Sequence, residues 1–209
     1  MDVRKFSVPE ILIGEGSLRY AALCAQRLGG EKVLLVSDPG VESAGWVERV
    51  CRHLRSEGLE WAYFNSVLAN PRDGQVAEGV EYYREEGCDV VMAVGRGSPM
   101  DASKGIAMVA SNGGRVNDYE GANQIKDPLP PMIFIPSTAS SGSDISQFAI
   151  ITDMERRVKM SIISRTLVPN ISIIDPELLT TKSRGLIIAA ALDALAHAVE
   201  AHVSRIASP

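Results

Sequence analysis

The sequence predicts an α/β protein with a doubly wound, mostly parallel sheet of the Rossmann-like kind, followed by the start of an all-α region. Short apolar strands alternate with helical stretches at the spacing of right-handed βαβ units. Residues 33–37 form an uninterrupted apolar run, which is typical of a strand buried on both faces of a parallel sheet. After residue 176 the pattern becomes helical almost to the end of the chain.

The predicted elements follow one another with clear breaks. Asp38-Pro-Gly ends the first interior strand, Asn70-Pro71 precedes a helix, and Gly87 ends that helix. The predicted strands cover residues 11–13, 33–37, 59–64, 89–94, 132–135, 148–152, 158–163 and 171–174, and the predicted helices cover 41–57, 75–86, a stretch from 98 and a stretch after 176. We expect a boundary near Pro176, with an α/β domain over residues 1–176 and the beginning of a helical domain over 177–209.

Composition and charge exclude several classes of protein. The 209 residues are 45% hydrophobic and 22% charged with a formal net charge of −5, so nucleic acid and anionic membrane are poor partners. The three cysteines lie far apart, which favours reduced thiols over a disulfide framework. The N-terminus lacks a secretory signal pattern, and the uncharged run at residues 186–192 is too short to span a bilayer. We therefore expect a cytoplasmic protein.

The stretch VGRGSPMDASKGIA places glycines where a strand gives way to a helix. Ser98 has the properties of an N-cap, Pro99 suits the first helical position, and Asp101 can complete a capping box. A helix N-terminus binds anions, and glycines before it let a phosphate approach the backbone. This turn predicts a site for the pyrophosphate of a dinucleotide. A capped turn without a ligand remains the alternative.

Asp38 follows the first interior strand and allows two interpretations. Its carboxylate can accept hydrogen bonds from a ribose, or it can cap the helix that follows. The first turn reads SDPG and lacks the usual G-x-G-x-x-G pattern.

Asp193 and His197 are the only ionisable side chains in the apolar run GLIIAAALDALAHAV. Their i, i+4 spacing places them on one face of a helix, and the apolar neighbours predict that this helix is buried. A buried carboxylate needs a positive partner. His197 can supply it as a structural ion pair, or both side chains can ligate a divalent cation such as zinc or iron.

Four stretches together resemble the iron-containing (group III) alcohol dehydrogenases over nearly the whole chain. FSVPEILIGEGSL resembles the opening strand and turn of that family, and VGRGSPMDASKGIA its G-G-G-S-x-x-D-x-x-K motif. PSTASSGSDISQFAIITD resembles the P-T-T-x-G-T-G-S-E segment, and ALDALAHAVEAHVS the G-x-D-A-x-x-H-x-x-E-x-Y helix. The motifs occur in the family's order and spacing, which makes the match specific.

The resemblance implies an NAD(P)-dependent oxidoreductase that interconverts an alcohol and an aldehyde or ketone, with Fe²⁺ or Zn²⁺ as the Lewis acid. Asp38 would contact the adenosine ribose and favour NAD over NADP, and Lys159 would reach the nicotinamide ribose. Asp193 and His197 would be metal ligands. By position, the other implied cofactor residues are Asn70 in the loop bordering the cleft, Gly95, Gly97, Ser98 and Asp101 at the pyrophosphate, and Ser137, Thr138 and Ser141 on the adenosine side.

Two departures from the family pattern qualify these expectations. Arg96 stands where the turn has its middle glycine, and either points away from the cofactor or adds a cation near the phosphates. The family's helical domain supplies two further histidine ligands and most of the substrate pocket, so we expect this chain to be an inactive part of a longer enzyme. The alternatives are a glycerol dehydrogenase or 3-dehydroquinate synthase on the same scaffold, or a non-catalytic nucleotide-binding module. The resemblance also implies a homo-oligomer, a dimer or larger, with a small alcohol or aldehyde as substrate.

Overall fold

A computed structural model describes residues 7–139 and 142–205. Its main sheet contains six parallel strands in the order β1-β9-β6-β4-β2-β3. These strands are β1 (Glu10–Ile13), β2 (Lys32–Val36), β3 (Glu60–Phe64), β4 (Val90–Gly95), β6 (Met132–Pro136) and β9 (Ile171–Ile174). A smaller sheet has the order β5-β8-β7, with β5 (Gly121–Ala122), β7 (Phe148–Asp153) and β8 (Val158–Ile163). The predicted doubly wound α/β architecture is confirmed.

Helices cover both faces of the main sheet because its strands are apolar on both sides. The helices are α1 (Ala21–Arg27), α2 (Pro39–Ser43), α3 (Trp46–Ser56), α4 (Asp73–Glu85), α5 (Gly97–Asn112) and α6 (Arg184–Val203). Val33 and Leu35 of β2 pack into one core with α1, α2 and α3. Leu34 and Val36 pack into a second core with α4, α5 and the smaller sheet.

The predicted helix over residues 41–57 is wrong as a single element. Gly45 has a φ of 81°, which ends α2 and lets α3 begin at Trp46 in a new direction. The predicted apolar face of this region is confirmed, since Trp46, Val50 and Leu54 are buried.

The predicted burial of the last helix is also wrong for the described residues. No residue of α6 is buried, and Leu192 and Leu195 are 61% and 60% exposed. By length and composition α6 could cross a membrane, with a mean hydropathy of 1.6 in its most apolar window. The uncharged run at 186–192 alone is too short to span a bilayer, but the whole helix is long enough. A single helix of this kind is weak evidence, because helices that pack in the core of larger proteins have the same composition. The division at residue 176 stays a prediction.

The strand order places a topological switch point between β2 and β4. The chain leaves β2 for β3 on one side, and it leaves β4 for β6 on the other side. Doubly wound sheets bind ligands in the crevice outside the carboxyl ends of the strands at such a point. Asp38 follows β2, and Arg96 and Gly97 follow β4, so the residues singled out in the sequence meet there.

Candidate functional site

A cleft of about 490 Å³ lies between the N-terminus of α5, the smaller sheet and α6. Residues from distant parts of the chain line it, and several of them are predicted site residues. The predicted residues in its lining are Asn70, Gly97, Ser98, Asp101, Thr138, Lys159 and Asp193. The fold therefore brings at least one residue of each expected set, for the pyrophosphate, the nicotinamide and the metal, to one cavity, while Gly95 and His197 are outside its lining.

Gly95 ends β4 in a conformation that only glycine adopts readily. Its φ is 153°, and a Cβ atom there would lie 2.8 Å from Pro99 Cγ and 3.2 Å from Asp38 Oδ2. The missing side chain lets the turn pass closely over the end of β2. Gly95 lies beneath the cleft and is not part of its lining.

The start of α5 differs from the predicted capping box. The helix begins at Gly97, so Arg96 is the N-cap, and no side chain caps the helix. Pro99 is consequently the third helical residue and Asp101 the fifth, too far along for a cap. Gly97 and Ser98 line the cleft at the positive end of the helix dipole, and no side chain caps the helix there.

Asp101 is a buried carboxylate at the base of the cleft, only 9% exposed. Its burial raises its pKa to about 6, against the opposing influence of the nearby Lys104 charge. The backbone N–H of Ile150 and the Ser143 side chain donate hydrogen bonds to it. Asp101 thus ties α5 to β7 and to the segment before it.

Asp38 and Ser137 lie beside the cleft, outside its lining. Asp38 Oδ1 accepts hydrogen bonds from the Gly40 and Val41 N–H groups at 2.9 and 3.0 Å, so the predicted capping role is confirmed. The other oxygen faces Gly95. Ser137 is fully buried and its N–H donates to the Gly95 carbonyl at 2.8 Å, while its hydroxyl has no partner among the described residues.

The opposite wall of the cleft is carried by the smaller sheet. The N–H of Thr152 donates to the Pro71 carbonyl at 2.7 Å, which fixes the loop containing Asn70 against β7. Asn70 itself has a φ of 57°, a conformation that asparagine tolerates better than most residues. Thr152 pairs with Lys159 across β7 and β8, and Lys159 is an exposed cation at the rim.

Asp193 and His197 are neighbours on α6, as their spacing predicts. His197 Nε2 lies 3.7 Å from Asp193 Oδ1, and their side chains are 60% and 47% exposed. A carboxylate oxygen and an imidazole nitrogen suit iron or zinc. Within residues 7–139 and 142–205, no third acidic, histidine or cysteine side chain joins them. The described residues thus bring together two candidate ligands, fewer than the four of a tetrahedral site.

The structure adds residues that sequence reasoning missed or left open. Arg96 is among the residues that line the cleft. Lys104, in the stretch VGRGSPMDASKGIA, is fully buried. It is the only charged residue between Asp101 and Arg115, and this isolation in the sequence is the signal that could have marked it. The predicted residue Ser141 lies outside the described residues.

The fold is a Rossmann-like α/β scaffold with a cleft at the N-terminus of α5, and comparison with known proteins identifies the family. A sequence model of the iron-containing alcohol dehydrogenases matches residues 9–176. The chain belongs to the iron-containing alcohol dehydrogenase family.

Similar proteins include named dehydrogenases and solved structures. The NAD-dependent methanol dehydrogenase of Bacillus methanolicus is 41% identical over 98% of this chain and 54% of its own length. The 1,3-propanediol dehydrogenase of Klebsiella pneumoniae is 37% identical over 100% of this chain and 55% of its own length. A 1,3-propanediol oxidoreductase structure superposes with a TM-score of 0.95 at 38% identity, covering 99% of this chain and 55% of that one. The chain spans about half the length of the curated relatives it matches.

Proposed function

We propose that the cleft binds NAD and serves an alcohol dehydrogenase that interconverts an alcohol and an aldehyde or ketone by hydride transfer. The observation that carries this proposal is the junction of β4 and α5. There, a helix N-terminus that no side chain caps lines a cavity beside the topological switch point of the sheet.

The chain's own residues suit a dinucleotide bound along this cleft. The N–H groups of Gly97 and Ser98 would hold the pyrophosphate, and the closely packed Gly95 turn leaves room for it. The hydroxyl of Ser137 has no described partner, and with Thr138 and Ser141 it would serve the adenosine side. Lys159 and Asn70, on the opposite wall, would border the nicotinamide half.

Asp38 would select NAD over NADP, because a carboxylate beside the adenosine ribose repels a 2′-phosphate. Two cations, Lys182 and Arg96, lie in the same region as Asp38. Burial lowers the pKa of Lys182, Asp38 opposes that shift, and Arg96 adds to it, so the three charges influence one another. The carboxylate is therefore the group that would exclude a phosphate from an otherwise basic environment.

Replacing Asp38 with asparagine should shift the ratio of NADPH to NADH affinity about tenfold or more towards NADPH, equivalent to about 1.4 kcal/mol. Asparagine still caps α2, so the fold is preserved. Fluorescence titration with each nucleotide measures the ratio. Glu42→Gln removes a carboxylate from the same helix and should leave the ratio unchanged, because Glu42 accepts a hydrogen bond from Asn65, whereas Asp38 faces Gly95. An unaltered ratio in Asp38→Asn would contradict the assignment.

Asp193 and His197 would hold the divalent metal, which in this family of reactions polarises the substrate oxygen as a Lewis acid. Asp193 also lines the cleft, so a metal there would border the cavity proposed for the nicotinamide and the substrate. We propose that the remaining ligands come from outside the described residues, since these supply only two.

In a form of the protein with the length of its relatives, Asp193→Asn should remove tight binding of iron or zinc and lower alcohol oxidation at least about a hundredfold. Metal content after dialysis and NADH formation at 340 nm measure the two effects. Glu155→Gln removes an exposed carboxylate between β7 and β8, outside the cleft lining, and as the control it should change neither. Full metal occupancy in Asp193→Asn would make this residue structural.

We further propose that the protein is a cytoplasmic homo-oligomer. The edge strand β1 pairs with β9 alone among the described strands, and its Ile11 and Ile13 are 46% and 72% exposed. An apolar open edge of this kind favours association of chains.

A further inference from the structure

Lys104 is a buried cation whose amino group makes specific contacts with one segment. The side chain is fully buried. Its Nζ donates to the carbonyl oxygens of Ser146 and Phe148 at 2.8 and 2.7 Å, and lies 3.3 Å from the Ser146 hydroxyl. Burying a lysine is costly unless its donors are satisfied, and here three acceptors surround it.

The charges that face Lys104 come from two elements. Asp101 lies one turn earlier on α5, and Asp144 belongs to the segment before β7. Both carboxylates favour the charged amine, but desolvation outweighs them and lowers its pKa to about 8. The Phe134 ring from β6 lies 5.8 Å from Nζ and adds a cation–π contact.

Asp101 holds both ends of one piece of chain, and Lys104 holds its middle. Asp101 accepts hydrogen bonds from the Ser143 side chain and the Ile150 N–H, while Lys104 binds the carbonyls between them. Ser143 and Ile150 line the 490 Å³ cleft. One turn of α5 therefore fastens residues 143–150, a wall of the cleft, to the helix whose N-terminus faces the ligand.

We propose that Lys104 is a positioning residue that holds the 143–150 wall in place and thereby sets the affinity of the cleft for the dinucleotide. Lys104 does not line the cleft itself, so it acts through the wall it fastens. This inference rests on the proposed function for its ligand, the dinucleotide. The claim that Lys104 holds the 143–150 wall concerns the chain without a ligand.

Lys104→Met tests the proposal, because methionine has a similar length and no donor. We expect amide hydrogen exchange at residues 143–150 to accelerate at least about tenfold, with little change in β2 and β4. We also expect the NADH dissociation constant to rise about tenfold. Lys32→Met is the control. Lys32 is the first residue of β2, at the end of that strand away from Asp38, and its Nζ donates to Glu86 Oε2 at 2.7 Å. Neither hydrogen exchange at residues 143–150 nor NADH affinity should change in this variant.

The outcomes separate the two claims. Faster exchange together with weaker NADH binding supports the proposal. Unchanged exchange, or faster exchange with unchanged NADH affinity, overturns it. If the wild-type chain binds no NADH, the proposed function fails and the exchange result alone decides whether Lys104 holds the wall.

A second measurement covers the case in which Lys104→Met does not fold. In the wild type, raising the pH from 7 to 9 passes through the pKa of Lys104, which desolvation lowers to about 8, and so removes its charge, while Asp101, with a pKa of about 6, stays ionised. Exchange at residues 143–150, corrected for intrinsic base catalysis, should then accelerate relative to β4. A constant ratio between pH 7 and 9 would overturn the proposal.

Discussion

Replacing Gly95 with alanine should lower the free energy of unfolding by at least about 2 kcal/mol and abolish high-affinity NADH binding. The added methyl group would meet Pro99 Cγ at 2.8 Å and Asp38 Oδ2 at 3.2 Å, and the φ of 153° strains any side chain. Relief requires the start of α5 or the end of β2 to move. Both border the proposed nucleotide site, so stability and binding should fall together.

Gly74→Ala is the matched control for this substitution. Gly74 lies in α4, has nothing within 4 Å of a built Cβ and lies outside the cleft lining. Alanine there should raise stability by about 0.5–1 kcal/mol and leave NADH affinity unchanged. Urea denaturation and fluorescence titration measure both quantities. Equal stability of Gly95→Ala and the wild type would contradict the close packing of the turn.

Asp101 should make the protein more stable in acid than a variant with asparagine at this position. Burial raises its pKa in the folded chain to about 6, above the usual 3.8 of an aspartate. Its contribution is therefore fully present below about pH 4 and is lost as the pH rises through 6. The difference in free energy of unfolding between the wild type and Asp101→Asn should fall by about 2 kcal/mol from pH 4.5 to 7. Urea denaturation at both pH values measures it.

Asp153 provides a control of opposite sign. Hydrogen bonds from the Arg156 N–H and guanidinium hold the pKa of Asp153 well below its usual range. Its stabilising contribution is already complete above about pH 4 and is lost only in stronger acid. The difference between the wild type and Asp153→Asn should therefore stay constant from pH 4.5 to 7. A constant difference for Asp101→Asn as well would show that Asp101 is not desolvated.

The strands and the glycine turn were predictable because they depend on short-range signals. Apolar runs between turn residues located the strands of the main sheet, and the glycines after β4 marked the turn. The break at Gly45 was not predicted, because one glycine inside a helical pattern is often tolerated. The capping box at Ser98 failed for a similar reason: several neighbouring residues there can begin a helix, and in the structure α5 begins at Gly97.

The candidate site was predictable residue by residue but not in its supporting contacts. The i, i+4 spacing of Asp193 and His197 fixes their proximity on any helix, whereas the exposure of α6 depends on what packs against it. The contacts of Lys104 could not be predicted from the sequence. Its partners are carbonyl groups more than 40 residues away, and backbone acceptors have no signature in the sequence.

Titration of the 209-residue chain with NADH and, separately, NADPH tests the central claim most directly, because the claim concerns the cleft and not the complete enzyme. Nucleotide fluorescence reports binding. The account predicts saturable binding of NADH at least about tenfold tighter than NADPH, lost in Gly95→Ala and retained in Gly74→Ala. No saturable binding of either nucleotide, in a chain shown to be folded by its urea transition, would contradict the account.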